Sequence, residues 1–519
     1  MIYFKNILIV LLLFYTICFS FTKPQTASEK SDFSKLTNYV ELTNYLKELA
    51  SSSNLVTLST IGKSVEGRNI YALYFSKSQT FNSKEKRSKP LVLVDCQQHG
   101  DEPSGKEAAL ISARYILNND SYLLNSFDLI LIPQTNPDGA AKGTRKNANK
   151  MDLNRNHVIL SEPESIALHK LFLRWMPEIT LDIHESNSVK KTWIKNGFIK
   201  DAEEMLGCVT NLNIDSTIIN FSKKNIIPET GDLIEQNKVR FHEYIVGSPF
   251  KDHRIRYSTT NINDARQSMG IYNTFSFIFE GKRYGDLLTN LKRRTEAQVI
   301  ALTSFFKTIA KHSNEMLEIV NNTRKGLLIA ASSNTPRRIA IKMDYFADPN
   351  KPNINFPIFD LYTWHHTLRA LNNFQPIVKI KKTVLVPSAY ILQKRDFKLI
   401  KLLQKHQIKL EVTTSNQKIK IQKYKILHIT NSMEEDKPDK NIDLEEESLK
   451  VTLPEGTVII PLAQKAANLI PLLLEPQSSY GIVSQRSGRK YVFKNYLKEN
   501  SYFPIFRTNN YKKLNTIKY

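Results

Sequence analysis

Four short apolar runs, residues 91–95, 127–132, 179–183 and 275–279, each lead within a few residues into side chains able to do chemistry. Five or six mainly apolar residues in a row match the length of a strand covered on both faces, as in the middle of a parallel sheet. Between the runs lie segments with helical periodicity, at 105–117, 163–175 and 287–312. Alternating strands and helices predict an α/β fold: a mixed, mostly parallel sheet flanked by helices. In such sheets ligands collect at the carboxyl ends of the strands. Those ends are where His99, Asn136, His184 and Glu280 fall.

Upstream, residues 36–50 have the spacing of an amphipathic helix. Residues 55–61 and 70–75 read as strands joined by a turn at Glu66-Gly67, and 84–89 as a charged loop. At 519 residues the chain exceeds one ordinary core. A first domain is expected over 34–322. A smaller, mixed, strand-rich accessory domain follows over 323–519, with strands near 326–331, 383–387 and 457–461 and an acidic loop at 431–447.

Residues 1–22 hold a lysine at position 5 and an apolar run over 7–19, too short to span a bilayer comfortably. They read as a secretory signal peptide, with an uncleaved anchor as the alternative, so the mature chain is expected outside the cytoplasm, periplasmic or extracellular, without a transmembrane domain. Of three cysteines, Cys18 leaves with the leader. Cys96 and Cys208 cannot form a disulfide scaffold and are either bridged once or free. The balance of 73 basic against 50 acidic residues gives a net charge of +23, which favours anionic partners. The lysines are scattered, however, and no basic cluster is interleaved with aromatics, so nucleic acid is not an expected partner.

His99-Gly100-Asp101-Glu102 pairs an imidazole with a carboxylate, both suited to zinc, although such a four-residue pattern is common by chance. His184, just past the third run, is the matching third ligand; an isolated histidine at a strand end is equally often structural. Asn136-Pro137-Asp138-Gly139 reads as an ordinary turn. Asp152-Leu153-Asn154-Arg155-Asn156 suits a carboxylate pocket, because a guanidinium offers two parallel donors and an asparagine adds a neutral one; a solvated loop is the alternative. Glu280, at the end of a buried strand, reads either as a partly desolvated base or as a glutamate emerging into water.

The order and spacing of His99–Glu102, Asn136–Gly139, Arg145, Asp152–Asn156, Asp182-Ile183-His184 and Phe279-Glu280-Gly281 resemble the zinc carboxypeptidase family, the funnelin-type metallocarboxypeptidases, in its bacterial secreted form. The resemblance covers residues 36–322. It implies one zinc ion per catalytic domain, held by His99, Glu102 and His184. It also implies that Arg145 stabilises the oxyanion and that Asn154 and Arg155 grip the free C-terminal carboxylate of a peptide. Glu280 would take a proton from the attacking water and return it to the leaving amine.

Arg145 lies closer to Asn154 than in the pancreatic members, as in shorter bacterial branches. Asp264-Ala265-Arg266 resembles a pattern of some bacterial members, in which Arg266 lines the pocket of the leaving residue and favours a carboxylate-bearing side chain. The mobile tyrosine of the family has two candidates, Tyr257 and Tyr272. Two alternatives keep the same site: a zinc amidase or deacylase acting on N-acyl amino acids, and an inactive peptide-binding homologue.

Overall fold

A computed structural model describes residues 24–78, 87–248, 254–333, 335–487 and 490–519. The expected leader, Cys18 and the first half of the charged loop at 84–89 lie outside the described residues. Eight strands form the main sheet: β1 (Val56–Lys63), β2 (Asn69–Phe75), β3 (Leu91–Cys96), β4 (Asp128–Ile132), β5 (Ile179–Asn187), β6 (Glu204–Cys208), β7 (Phe241–Glu243) and β8 (Phe275–Arg283). Their order is β1-β2-β4-β3-β5-β8-β6-β7. The central four, β4-β3-β5-β8, run parallel; β1, β2 and the β8–β6 pairing are antiparallel, and β6 and β7 are parallel to each other. These central strands are the four apolar runs. All six residues of β3 are buried, as covering on both faces requires.

Side chains alternate across the sheet, so Asp182 and His184 point to one face and Ile183 to the other. Helices Ser104–Asn118 and Leu291–Ser332 pack together over the Ile183 face. A Cβ on Gly105 would stand 2.6 Å from Ile183 Cγ2, so the first of these helices lies directly on β5. The polar face is left to the site.

Two expectations are corrected. The strand expected at 326–331 is the last part of helix Leu291–Ser332, a 42-residue element. Its apolar residues continue the helix because Arg324 locks that turn onto the sheet end, donating to the carbonyls of Tyr272, Met176 and Pro177 and to Thr274 Oγ1. The acidic loop expected at 431–447 is a long hairpin of strands Gln417–Glu434 and Lys437–Leu453. Lysines of the first strand face glutamates of the second, as at Lys425↔Glu445 and Lys423↔Glu447, which stabilises antiparallel pairing.

The remaining expected strands appear as Ile377–Leu385 and Val458–Pro461 within a strand-rich C-terminal region. Helix Leu291–Ser332 runs through the expected boundary near 322, and strand Ile354–Asp360 pairs with Phe198–Lys200 of the first half. One cluster of buried apolar residues extends from Leu42 to Ile505. Cys96 and Cys208 are both free and buried. No described helix is long and apolar enough to cross a membrane.

Candidate metal and catalytic site

After β3 the chain turns over the sheet end through Gln97, whose φ of +55° places a non-glycine residue in the left-handed region. Side-chain bonds hold it there: Gln97 Nε2 donates to the Gly100 carbonyl at 3.1 Å and Gln134 Nε2 donates to Gln97 Oε1 at 2.9 Å. The turn brings His99 and Glu102 above the end of β5, beside His184. Ligand atoms of these three residues lie within 4.8 Å of one another, and the residues are only 3%, 4% and 2% exposed.

Protons on the imidazoles can be assigned from their outer partners. His184 Nε2 is 2.8 Å from Asp182 Oδ2, and His99 Nε2 is 3.1 Å from Asp152 Oδ1. A carboxylate only accepts, so both rings carry their proton on Nε2. Both Nδ1 lone pairs then face inward. They stand 3.0 Å apart and 2.9 and 2.8 Å from the two Glu102 oxygens. Three buried acceptors converging without a donor between them need a cation, and two nitrogens with a carboxylate oxygen suit zinc.

The electrostatics show the same demand. Burial is the largest influence on Glu102 and acts to raise it, but His99 and His184 hold the carboxyl well below its ordinary value. Burial likewise opposes charge on His184, yet Asp182 and Glu102 lift it well above the ordinary imidazole range.

Glu280 is the register partner of His184 in the parallel β5–β8 pair, so both side chains point to the same face. The Tyr244 phenol lies near Glu280: burial first, then the charge of that carboxylate, push it well above its usual pKa. Arg145 reaches the rim of the cluster. Its Nε donates to Asp152 Oδ2 at 3.0 Å and its Nη1 to Glu102 Oε1 at 3.4 Å.

Asn154 is buried, with Oδ1 accepting from the Ala265 amide at 2.9 Å and Nδ2 3.1 Å from His184 Nε2. That nitrogen already gives its proton to Asp182 and cannot accept, so the Asn154 amide protons remain free for another oxygen. Exposed Arg155 bonds back to the Asn154 carbonyl. Arg266 is 2% exposed, donates to Ser258 Oγ and lies 5.6 Å over the Tyr244 ring; its Nε and Nη1 have no hydrogen-bond partner among the described residues.

The zinc carboxypeptidase family matches residues 42–185, a span that contains His99, Glu102, Arg145, Asn154, Arg155 and His184. The chain carries a zinc carboxypeptidase domain. Carboxypeptidase 2 of Trichophyton rubrum is 23% identical over 487 residues, covering 91% of this chain and 89% of that protein. Carboxypeptidase E of Caenorhabditis elegans is 33% identical over 156 residues, 26% of this chain and 32% of that one. Among solved structures, the carboxypeptidase A from Helicoverpa armigera superposes with a TM-score of 0.41 at 21% identity, over 54% of this chain and 75% of that chain.

Several residues of the zinc carboxypeptidase site escape a reading of the sequence. Asp152 contacts His99 rather than standing free in a carboxylate pocket. Burial would raise its pKa, but the His99 bond and the charges of Arg145 and Arg155 keep it low. Asp182 carried a detectable signal, since a residue two before His184 on a strand shares its face. Tyr244 had none.

Of the expected tyrosines, Tyr272 is buried in the core against Phe172, and Tyr257 packs edge-on against Phe374. Asn136 proves to be more than a turn residue. Its Oδ1 accepts from the Gly139 amide at 2.9 Å, capping helix Pro137–Lys142, and its Nδ2 donates to the Gln98 carbonyl at 3.0 Å, which fastens the His99 loop.

Gly100 explains how closely these two segments meet. A Cβ there would stand 2.1 Å from the Gly139 carbonyl carbon and 2.3 Å from the Ala140 nitrogen. Neither backbone can yield, so Gly100→Ala is expected to cost about 1–3 kcal/mol of stability and to weaken zinc binding together with it. Thermal melting with and without zinc checks this; wild-type values in both would contradict it.

A cavity of about 820 Å³ adjoins the site, bounded by Asp152 and Arg155 on one side and by the tip of the long hairpin on the other. At that tip Glu435 and Asp436 both take positive φ, +50° and +61°. Their bonds hold this costly turn in place: Glu435 accepts from the Thr260 amide at 2.6 Å, and Asp436 pairs with Arg254 at 2.9 Å.

Proposed function

We propose that this protein is a zinc metallocarboxypeptidase that removes residues from the free C-terminus of peptides. One observation carries the reading: three inward lone pairs on His99, Glu102 and His184 stand beside Glu280, which no ligand role occupies. Zinc bound there would supply Lewis acidity, polarising a carbonyl and acidifying water. The chain's own residues supply the rest. Glu280, with Tyr244 beside it, takes the proton of the attacking water and hands it to the leaving amine. The Arg145 guanidinium, fixed by Asp152, faces the negative charge that grows on the carbonyl oxygen. Asn154 and Arg155 bind the terminal carboxylate, Asn154 through its uncommitted amide protons.

The cavity beside Arg155 favours leaving residues that bear further carboxylates. Its lining has five cations, Lys146, Lys150, Arg155, Lys437 and Arg486, none in an ion pair among the described residues. Its acids are already engaged by cations that do not line it: Asp152 by Arg145, Asp264 by Arg266, Glu434 by Lys381, Glu435 by Arg256 and Asp439 by Lys342. Arg266 lies outside that lining, but its two unpartnered buried nitrogens, beside Tyr244, also suit a carboxylate on the leaving residue. The leader-like residues 1–22 support action outside the cytoplasm.

A digest of a peptide library, read by mass spectrometry with and without a chelator, tests the reading. Single residues should be lost in turn from free C-termini, amidated peptides should resist, and chelation should stop the reaction. Arg155→Ala should raise KM for free-carboxylate substrates about 10- to 100-fold, the worth of a charged hydrogen bond. Equal cleavage of amidated peptides, or preference for N-acyl amino acids, would overturn it.

A further inference from the structure

Behind the proposed ligands a row of hydrogen bonds leads from the sheet end into the core. Asp182, whose Oδ2 meets His184, accepts at Oδ1 from Gln98 Nε2 at 2.9 Å. Gln98 Oε1 is 3.0 Å from His157 Nε2, and His157 Nδ1 is 3.0 Å from His169 Nε2. The His169 ring stands edge-on to His406, their centroids 5.6 Å apart, and His406 Nε2 donates to the Val158 carbonyl at 2.8 Å. All three histidines are buried, at 1%, 1% and 2% exposure.

The direction of each bond from Asp182 to His169 follows from the first member. Asp182 only accepts, so Gln98 turns its NH₂ toward Asp182 and its oxygen toward His157. His157 must therefore hold a proton on Nε2. Its Nδ1 then offers a lone pair, which His169 Nε2–H fills. Only a neutral His157 satisfies this pattern, and burial favours neutral rings along the row: it pushes His157 and His406 down to about 4 and His169 well below its ordinary value. A row of polar groups this deep is costly, the more so because His169 Nδ1 and His406 Nδ1 have no hydrogen-bond partner among the described residues, and apolar side chains would fill the same space without that cost. Its retention next to the ligands calls for a purpose.

We propose that His157, braced by His169, is a positioning residue for the metal: it fixes Gln98, and through Gln98 the Asp182 carboxylate that sets the tautomer of His184. His406 ties the row to the C-terminal region, since it follows helix Phe397–Lys405 and closes over His169. The inference rests on the reading of His184 as a ligand.

The zinc dissociation constant of the full chain, from competition with a chromophoric chelator, tests it. His157→Phe keeps a ring but removes both hydrogen bonds, and it should weaken zinc about 10- to 100-fold, the usual cost of losing an outer partner of a metal ligand. His157→Gln, whose amide can still donate to Gln98, should stay close to wild type. Equal losses in both variants would mean that His157 only fills space, and unchanged affinity in His157→Phe would remove its role; either result overturns the proposal. If His157→Phe does not fold, His169→Phe against His169→Gln decides by the same comparison. A wild-type chain that binds no zinc would instead remove the metal reading itself, and this inference with it.

Discussion

Replacing Glu280 by glutamine is expected to lower kcat by about 10²- to 10⁴-fold while the chain still binds one zinc ion. The two halves of this result have separate origins. Glutamine keeps the shape of the side chain, and the β5–β8 register is held by the backbone, so the neighbouring ligands are undisturbed. It cannot accept a proton, however, and water loses its base. KM should change little, since the carboxylate contacts at Asn154 and Arg155 are elsewhere. Steady-state kinetics with elemental analysis read both halves. Zinc lost together with activity would make Glu280 a ligand, and retained turnover would return the base to another group.

His184→Ala should have a larger effect. The variant should bind no zinc at micromolar concentrations, and activity should fall on the order of 10³-fold or more, because Lewis acidity accounts for several kcal/mol of barrier lowering. It should also destabilise the fold even in the presence of a chelator. With zinc removed, the raised pKa of His184 puts a proton on its inward nitrogen, so the ring bridges Asp182 and Glu102, 2.8 Å from each, and both acids are buried. Removing the imidazole leaves them without that partner, a loss of about 3–5 kcal/mol for a buried pair. Chemical denaturation of the chelated wild type and variant measures this. Equal stability would mean that the three side chains do not form the coupled cluster described above.

How much of this was legible in the sequence depends on the kind of signal. The central strands were visible because uninterrupted apolar runs leave few alternatives, and the ends of those runs located His99, His184 and Glu280. The hairpin 417–453 was hidden. Its turn, Glu435-Asp436, lacks the asparagine or glycine that usually marks such a turn, and its charged faces resemble a solvated loop. The last turns of helix Leu291–Ser332 were hidden for the opposite reason: residues 327–331 form an apolar run short enough to pass for a strand. Tyr244 could not be found at all. It reaches Glu280 only because β7 lies at the sheet edge next to β6, a tertiary fact with no local trace.

Anomalous diffraction at the zinc edge, on crystals of the intact chain, puts the account to its most direct test. A single peak should appear among His99 Nδ1, Glu102 and His184 Nδ1, with bonds of about 2.0–2.2 Å. No peak there, or a peak coordinated by other side chains, would contradict it.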